Sequence, residues 1–243
     1  MSGRLSLLRR NLQPEVMDQP DLDHAAHSHA LDSLALINRV SSSAGMLWPP
    51  IARLAGQLDA RPLSILDLAS GGGDVAIGLW RRAKRAGIQV TITGLDVSPF
   101  AVEHAQERAA AAGAQVTFAE GDALADAPLA RFDVVYCSLF LHHLAEDQAA
   151  RFLRRMAATA QHLVLVNDLV RSPTGYAIAW AATRVLTRSP VVRVDGPRSV
   201  ANAFSIGEVG ALAERAGLTG AKIQRRWPWR FLLSWTNQPE RAP

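Results

Sequence analysis

The chain is poor in several things, and each scarcity excludes a class of protein. It has one cysteine, Cys137, among 243 residues. No intramolecular disulfide can form, so a disulfide scaffold is excluded, and a reducing, cytoplasmic setting is expected. Cys137 sits in an apolar run and reads as a small core residue. No run of 18 apolar residues occurs, so no membrane-spanning helix or stable membrane insertion is expected. Arg4, Arg9 and Arg10 surround Leu5, Leu7 and Leu8, but this apolar stretch is too short for a signal peptide. Cations outnumber acids by little, for a formal net charge of +4. The arginines are scattered, and without a dense basic run no nucleic-acid partner is expected. No G-K-[ST] follows a glycine loop, which excludes a P-loop. There is no internal repeat and no low-complexity tract, and nothing in the sequence sets an oligomeric state.

What remains is globular: 49% hydrophobic and 20% charged residues, enough for one large core. An apolar stripe at Leu31, Leu34, Ile37 and Val40 predicts a helix over 25–43. Trp48-Pro49-Pro50 is expected to break it, with a second helix over 51–58. Strands and helices then alternate. Strands are expected over 64–69, 90–96, 115–120, 133–138 and 162–168, with helices over 74–86, 99–112 and 146–160. This alternation predicts a parallel α/β sheet with helices on both faces. Beyond it, a helix is expected over 171–188, a loop over 190–197, a helix opened by the capping box Ser205-Ile206-Gly207-Glu208, and a closing hairpin over 221–235. The arginines Arg225, Arg226 and Arg230 fall on that hairpin.

The chain is organised around Ile65-Leu66-Asp67-Leu68-Ala69-Ser70-Gly71-Gly72-Gly73-Asp74, a buried strand ending in an acid, a glycine turn and a helix start. Gly71 to Ala76 fits G-x-G-x-x-G/A, and Asp96 ends the next strand 25 residues after Gly71. An acid there can accept hydrogen bonds from ribose hydroxyls, which serves an NAD enzyme or another adenosine binder equally well. Glu120-Gly121-Asp122-Ala123 adds an acid at the third strand end that can accept from an adenine amino group.

With the run Cys137-Ser138-Leu139-Phe140-Leu141-His142-His143-Leu144, residues 64 to about 170 resemble a class I S-adenosylmethionine-dependent methyltransferase. The matching pieces are Leu66 to Gly73, Gly94-Leu95-Asp96-Val97-Ser98, Gly121-Asp122-Ala123, and Phe132-Asp133-Val134-Val135 leading into Leu141-His142-His143-Leu144. The resemblance implies a doubly wound, seven-stranded, mostly parallel sheet of order 3-2-1-4-5-7-6 with strand 7 antiparallel. It implies an N-terminal arm and helical lid over 1–60, a cofactor-binding domain over 61–243, and a substrate cap over 170–204. By the same resemblance Asp67, Ala69, Gly71 and Gly73 surround the amino-acid part of S-adenosylmethionine. Asp96 holds its ribose with Val97 beside it, Asp122 and Ala123 face the adenine, and Ser138 lies by the methionine portion. Ala69 departs from the family's usual glycine.

Methyl transfer is an in-line displacement, so the protein's main tasks are alignment and exclusion of water. A hydroxyl acceptor also benefits from a base. His143 and His142, expected over the reactive end of the cofactor, have the chemistry for it. His24, His27 and His29 cluster without a cysteine or matched carboxylate, so no metal is expected. The acidic segment from Glu15 to Asp21, with Asn38 and Trp48, is expected to fold over the pocket. Tyr176, Trp180, Arg193 and Arg198 fall in the expected cap, whose apolar character favours a small aromatic, phenolic, quinone-like or polyketide-like acceptor. O-methylation is the first expectation and C-methylation of an electron-rich ring the alternative. An NAD-dependent oxidoreductase, a nucleic-acid methyltransferase and a non-catalytic cofactor-binding protein are the remaining rivals.

Overall fold

The computed structural model describes residues 7–19, 21–58, 61–125 and 129–237. Arg4, Leu5 and Pro20, which entered the reading of the N-terminal arm, lie outside these residues. Among the described residues, seven strands and eight α-helices follow one another. Two helices come first, α1 (His24–Val40) and α2 (Ser43–Ala55). The alternating body comprises β1 (Leu63–Leu68), α3 (Asp74–Ala86), β2 (Val90–Asp96), α4 (Pro99–Ala111), β3 (Val116–Glu120), β4 (Phe132–Ser138), α5 (Glu146–Thr159) and β5 (Ala160–Leu169). The chain ends with α6 (Pro173–Leu186), α7 (Pro190–Asn202), α8 (Ile206–Arg215), β6 (Lys222–Arg226) and β7 (Arg230–Thr236).

One sheet joins all strands in the order β3-β2-β1-β4-β5-β7-β6. Pairing is parallel from β3 through β5, while β7 runs antiparallel to both β5 and β6. The expected order and the reversed final strand are both present. Alternation along each strand divides the core in two. Ile65, Val134, Tyr136 and Leu165 face α2, α3 and α4. Leu66, Val135, Cys137, Val164 and Phe231 face α5 and α8. Cys137 is fully buried, and burial pushes its thiol pKa well up, so it is an inert core residue.

Local signals explain most boundaries. Gly87 stops α3 at φ 67°, a left-handed cap that glycine adopts without a Cβ clash. Ser98 caps α4 by accepting from Ala101 N, with Pro99 at the first helical position. Ser205 and Glu208 close their capping box, at 3.3 and 2.7 Å.

Two expectations fail. Pro49 and Pro50 do not break the chain but lie inside α2. The buried stripe Met46, Leu47, Ile51 and Leu54 continues across them, and packing against the sheet outweighs the lost backbone bonds. Trp48 packs on that core and does not line the cavity described below. The second failure is the loop expected over 190–197, which is helical from Pro190 onward. Ser189 caps it, Pro190 occupies the position where no N–H is needed, and Val191, Val192 and Val200 are buried. Pro197 is carried inside α7, and Gly196 lets the helix approach α6, where a Cβ would stand 2.4 Å from Thr183.

Candidate active site

The C-terminal ends of β1, β2, β3 and β4 open into one cavity of about 1230 Å³, roofed by the N-terminal arm, α1, α6 and α7. It exceeds the roughly 300–1,000 Å³ of an ordinary single-ligand pocket, and so has room for a cofactor and an acceptor together. The structure places Asp67, Ala69, Gly71, Asp96, Val97, Asp122, Ala123, Ser138, His142 and His143 on its wall. Gly73 is not on the wall. A Cβ there would stand 2.5 Å from Phe118 Cζ, so this glycine lets α3 pack onto β3 and α4.

The glycine turn is held by an acid from the next strand. Asp96 accepts from Gly71 N at 2.7 Å and from Ser98 N at 3.0 Å, tying the two loops together. Gly71 has φ +51° and a Cβ on it would meet nothing within 4 Å, so the backbone lies open for close approach. Ala69 takes φ +58°, a conformation its methyl group disfavours. Among the described residues the side-chain oxygen of Ser70, also on this wall, is buried without a hydrogen-bond partner. Asp67 is buried and sits opposite Tyr136 across the β1–β4 pair, accepting from its hydroxyl at 2.7 Å. Burial raises the Asp67 pKa well above the ordinary value, and Asp74 and Asp96 add to it. A cation brought to this cluster of acids would offset both effects and favour the ionised carboxylate. Asp122 accepts from Leu124 N at 2.7 Å, and Ser138 Oγ accepts from Asn167 Nδ2 at 2.9 Å.

The two histidines differ. Leu141 to His143 form one 3-10 turn after β4, and the two imidazole rings lie side by side with centroids 4.3 Å apart. His142 is buried between two carboxylates, with Nδ1 2.7 Å from Asp168 and Nε2 3.4 Å from Glu15. Burial opposes its charge, but Asp168 and Glu15 prevail and raise its pKa to about 10. Glu15 is shifted the other way, to about 2, because pairing with His142 and His143 overcomes its own burial. His142 is therefore an imidazolium at neutral pH and has no vacant nitrogen with which to act as a base. His143 is partly open, with Nδ1 2.9 Å from Asp18 Oδ2 and Nε2 3.9 Å from Glu15 Oε2. Its ring stacks near Phe140, centroids 6.0 Å apart.

The arm supplies both acids, and its backbone is fixed in turn. Val16 N and Met17 N donate to Asp195 at 2.9 and 3.0 Å, and Ser199 donates to Glu15 at 2.6 Å. Glu15, His142 and His143 each present a potential metal-ligand atom, all within 4.8 Å of one another. His142 would have to surrender its proton and its Glu15 partner to bind an ion there. His24 and His27 flank Phe100, each with ring centroids 4.8 Å from it.

The cap lines the cavity with its inner face only. Gly175, Ile178, Ala179, Ala182 and Thr183 face inward, whereas Tyr176 and Trp180, one helical step away, are exposed. Arg193 donates to Thr187 O and Arg198 to Pro14 O, so they brace the cap and the arm. Sequence reasoning missed Asp168 and Tyr136. The first was legible as an acid ending an apolar strand, the second only through strand register.

Known proteins bear on this geometry. Residues 65–162 match the family model described as "Methyltransferase domain". A demethylmenaquinone methyltransferase of Deinococcus radiodurans is 34% identical over 161 residues, 64% of this chain and 65% of that protein. A ubiquinone biosynthesis O-methyltransferase of Alkalilimnicola ehrlichii is 31% identical over 132 residues, 53% of this chain and 50% of that protein. The chain thus spans from half to just under two thirds of the length of these curated relatives. Human N-acetylserotonin methyltransferase, solved with S-adenosylmethionine, shares the fold with a TM-score of 0.60 and 16% identity, over 89% of this chain and 57% of that one.

The sheet order together with the matched domain is that of the class I S-adenosylmethionine-dependent methyltransferases. Residues 65–162 carry a methyltransferase domain, whose cofactor is S-adenosylmethionine. An NAD-dependent oxidoreductase is thereby set aside. The cavity fits the cofactor on its own terms, through the cluster of acids Asp67, Asp74 and Asp96, an open glycine backbone and a Ser70 hydroxyl that has no partner among the described residues. Among the described residues no helix is long and apolar enough to cross a membrane.

Proposed function

We propose that this protein methylates a hydroxyl group of a small aromatic, phenolic, quinone-like or polyketide-like acceptor. The observation that carries the reading is the Asp18–His143 pair at the cavity wall. With Asp18 accepting from Nδ1, the Nε2 nitrogen is the acceptor, which is the tautomer a general base needs. Phe140, Leu31, Leu34, Ile37 and Ile178 give the neighbouring wall an apolar, partly aromatic character that suits such an acceptor.

The bound cofactor supplies an electrophilic methyl group on a sulfonium. In this reading Asp67, Ala69, Gly71 and Ser138 receive its amino-acid end, Asp96 with Val97 its ribose, and Asp122 with Ala123 its adenine. Gly73 serves by packing. His143 takes the hydroxyl proton, Asp18 fixes and stabilises the resulting imidazolium, and the fixed positive charge of His142 favours the phenolate. The arm and the cap over 170–204 exclude water from that exchange. C-methylation of an electron-rich ring would use the same cavity with less need of His143.

The test is turnover with S-adenosylmethionine on a panel of phenols and hydroquinones, with the methylated atom located by NMR. His143→Ala is expected to lower kcat by roughly 10²–10⁴. A product methylated on carbon, or His143→Ala with undiminished kcat, would overturn the O-methylation reading.

A further inference from the structure

Arg230 opens β7 and is 3% exposed, yet it lines the cavity. One guanidinium nitrogen donates to Ser43 Oγ at 2.5 Å and another to Asn38 Oδ1 at 3.3 Å. Both partners are neutral, and Ser43 also donates to Asn38 at 3.1 Å, so the pair forms a clamp that fixes the cation without neutralising it. Among the described residues no carboxylate lies within 4.0 Å of it. Arg171 shows the alternative within the same molecule: also buried, it is gripped in a two-pronged ion pair by Glu208 at 2.7 and 2.9 Å.

A buried charge without a partner is strongly unfavourable. The carboxylates whose field reaches Arg230 are Asp168 and Asp74. Asp168 is committed to His142, 2.7 Å from its Nδ1, and Asp74 is itself raised in pKa by burial. Burial lowers the Arg230 pKa to about 10, which leaves it a cation at neutral pH. A guanidinium offers five donors in a planar fork matched to a carboxylate, and the clamp uses only part of that capacity. The acids Asp67, Asp74 and Asp96 line the same cavity. A wall with an acidic pole and one clamped cation has the polarity of a receptor for an amino-acid zwitterion.

We propose that Arg230, held by Asn38 and Ser43, is the carboxylate-binding group of this cavity. Two ligands can bring that carboxylate: the amino-acid tail of the cofactor, and an acidic acceptor. Asn38, Arg230 and Asp74, the first residue after the glycine turn, share one cavity wall, and the field of Asp74 reaches Arg230, which sets the clamp towards the end of the cavity assigned to the tail. The inference rests on the cofactor assignment and is independent of which acceptor atom is methylated.

The test is a binding cycle read by calorimetry, without turnover. S-adenosylhomocysteine is compared with its decarboxylated counterpart, which keeps the amine and thioether, on the wild type, Arg230→Gln and Arg230→Lys. Separately, 4-hydroxybenzoate is compared with phenol on the protein saturated with S-adenosylhomocysteine. If the tail is the ligand, the wild type prefers S-adenosylhomocysteine by about tenfold or more, equivalent to about 1.4 kcal/mol. Arg230→Gln abolishes that preference by weakening S-adenosylhomocysteine alone, and Arg230→Lys retains part of it. If the acceptor is the ligand, the same pattern appears in the benzoate–phenol pair instead. A wild type that prefers neither acid, or preferences that survive Arg230→Gln, overturns the proposal. The wild-type comparison decides even if Arg230→Gln does not fold. Failure of S-adenosylhomocysteine to bind at all would strike the cofactor assignment itself.

Discussion

The strand-end half of the cavity and its arm-and-cap half are built by different physics. At the strand ends, groups close in sequence or adjacent in the sheet hold one another. Asp96 receives Gly71 N and Ser98 N, and Asp67 meets Tyr136 directly across a strand pair. The arm is secured by charged and polar side chains from far along the chain. Asp18 meets His143 across 125 residues, Arg198 meets Pro14 across 184, and Arg10 reaches both Asn202 O and His142 O. The first half is set by the backbone of a parallel sheet. The second depends on ionisation, and it delivers the acids on which His142 and His143 depend.

The comparison can be broken most forcefully at Asp168. Asp168→Ala removes one of the two carboxylates around a buried imidazolium and is expected to destabilise the protein by about 3–5 kcal/mol, measured by urea unfolding. Asp96→Ala, which unties two loops but leaves no buried charge unpaired, should cost less stability while sharply weakening S-adenosylhomocysteine binding. Equal losses of stability from the two variants would erase the distinction between the halves.

A gentler cut is Asp18→Asn. It leaves the sheet untouched and is expected to lower kcat by about tenfold or more, with the affinity for S-adenosylhomocysteine unchanged. A parallel fall in that affinity would mean that the arm also shapes the cofactor end.

pH separates the halves without mutation. The pKa of His142 is raised from 6.5 to about 10, so its pairing contributes fully below pH 6.5 and is lost as pH rises towards 10. The pKa of Glu15 is lowered from 4.5 to about 2, so its contribution is full above pH 4.5 and is lost as pH falls towards 2. The arm should therefore be held most firmly between about pH 4.5 and 6.5. Limited proteolysis across pH, followed at the arm, checks this. Arm cleavage insensitive to pH from 6 to 10 would refute the ionic latch.

The smallest effect belongs to Ala69. At φ +58° its methyl group is strained, and Ala69→Gly is expected to stabilise the native backbone by up to about 1 kcal/mol. Part of that gain is offset by the greater freedom of glycine in the unfolded chain. A clear loss of stability would show that the methyl group packs usefully despite the strain.

Much of this was legible in advance where signals are local. An apolar run ending in Asp67 and followed by glycines can only be a buried strand turning into a helix, and the acids Asp96 and Asp122 mark the same edge. The capping sets at Ser98 and Ser205 are written within four residues. Misreadings came where packing overrode a local rule, at Pro49-Pro50 and at Pro190 to Pro197. Long-range partners carried no signal, since nothing near His142 announces Glu15 or Asp168, and nothing near Arg230 announces Asn38 and Ser43.

By itself, then, the sequence determined the succession of strands and of the helices between β1 and β5, the glycine turn and the row of acids along the strand ends, because these follow from periodicity and backbone conformation. Only the tertiary structure decided which histidine is buried as a cation and which stays open to the cavity, why Gly73 packs while Gly71 faces the cavity, and that Arg230 stands clamped but unneutralised. Those outcomes depend on desolvation and charge pairing between distant segments, and both arise only once the chain has closed.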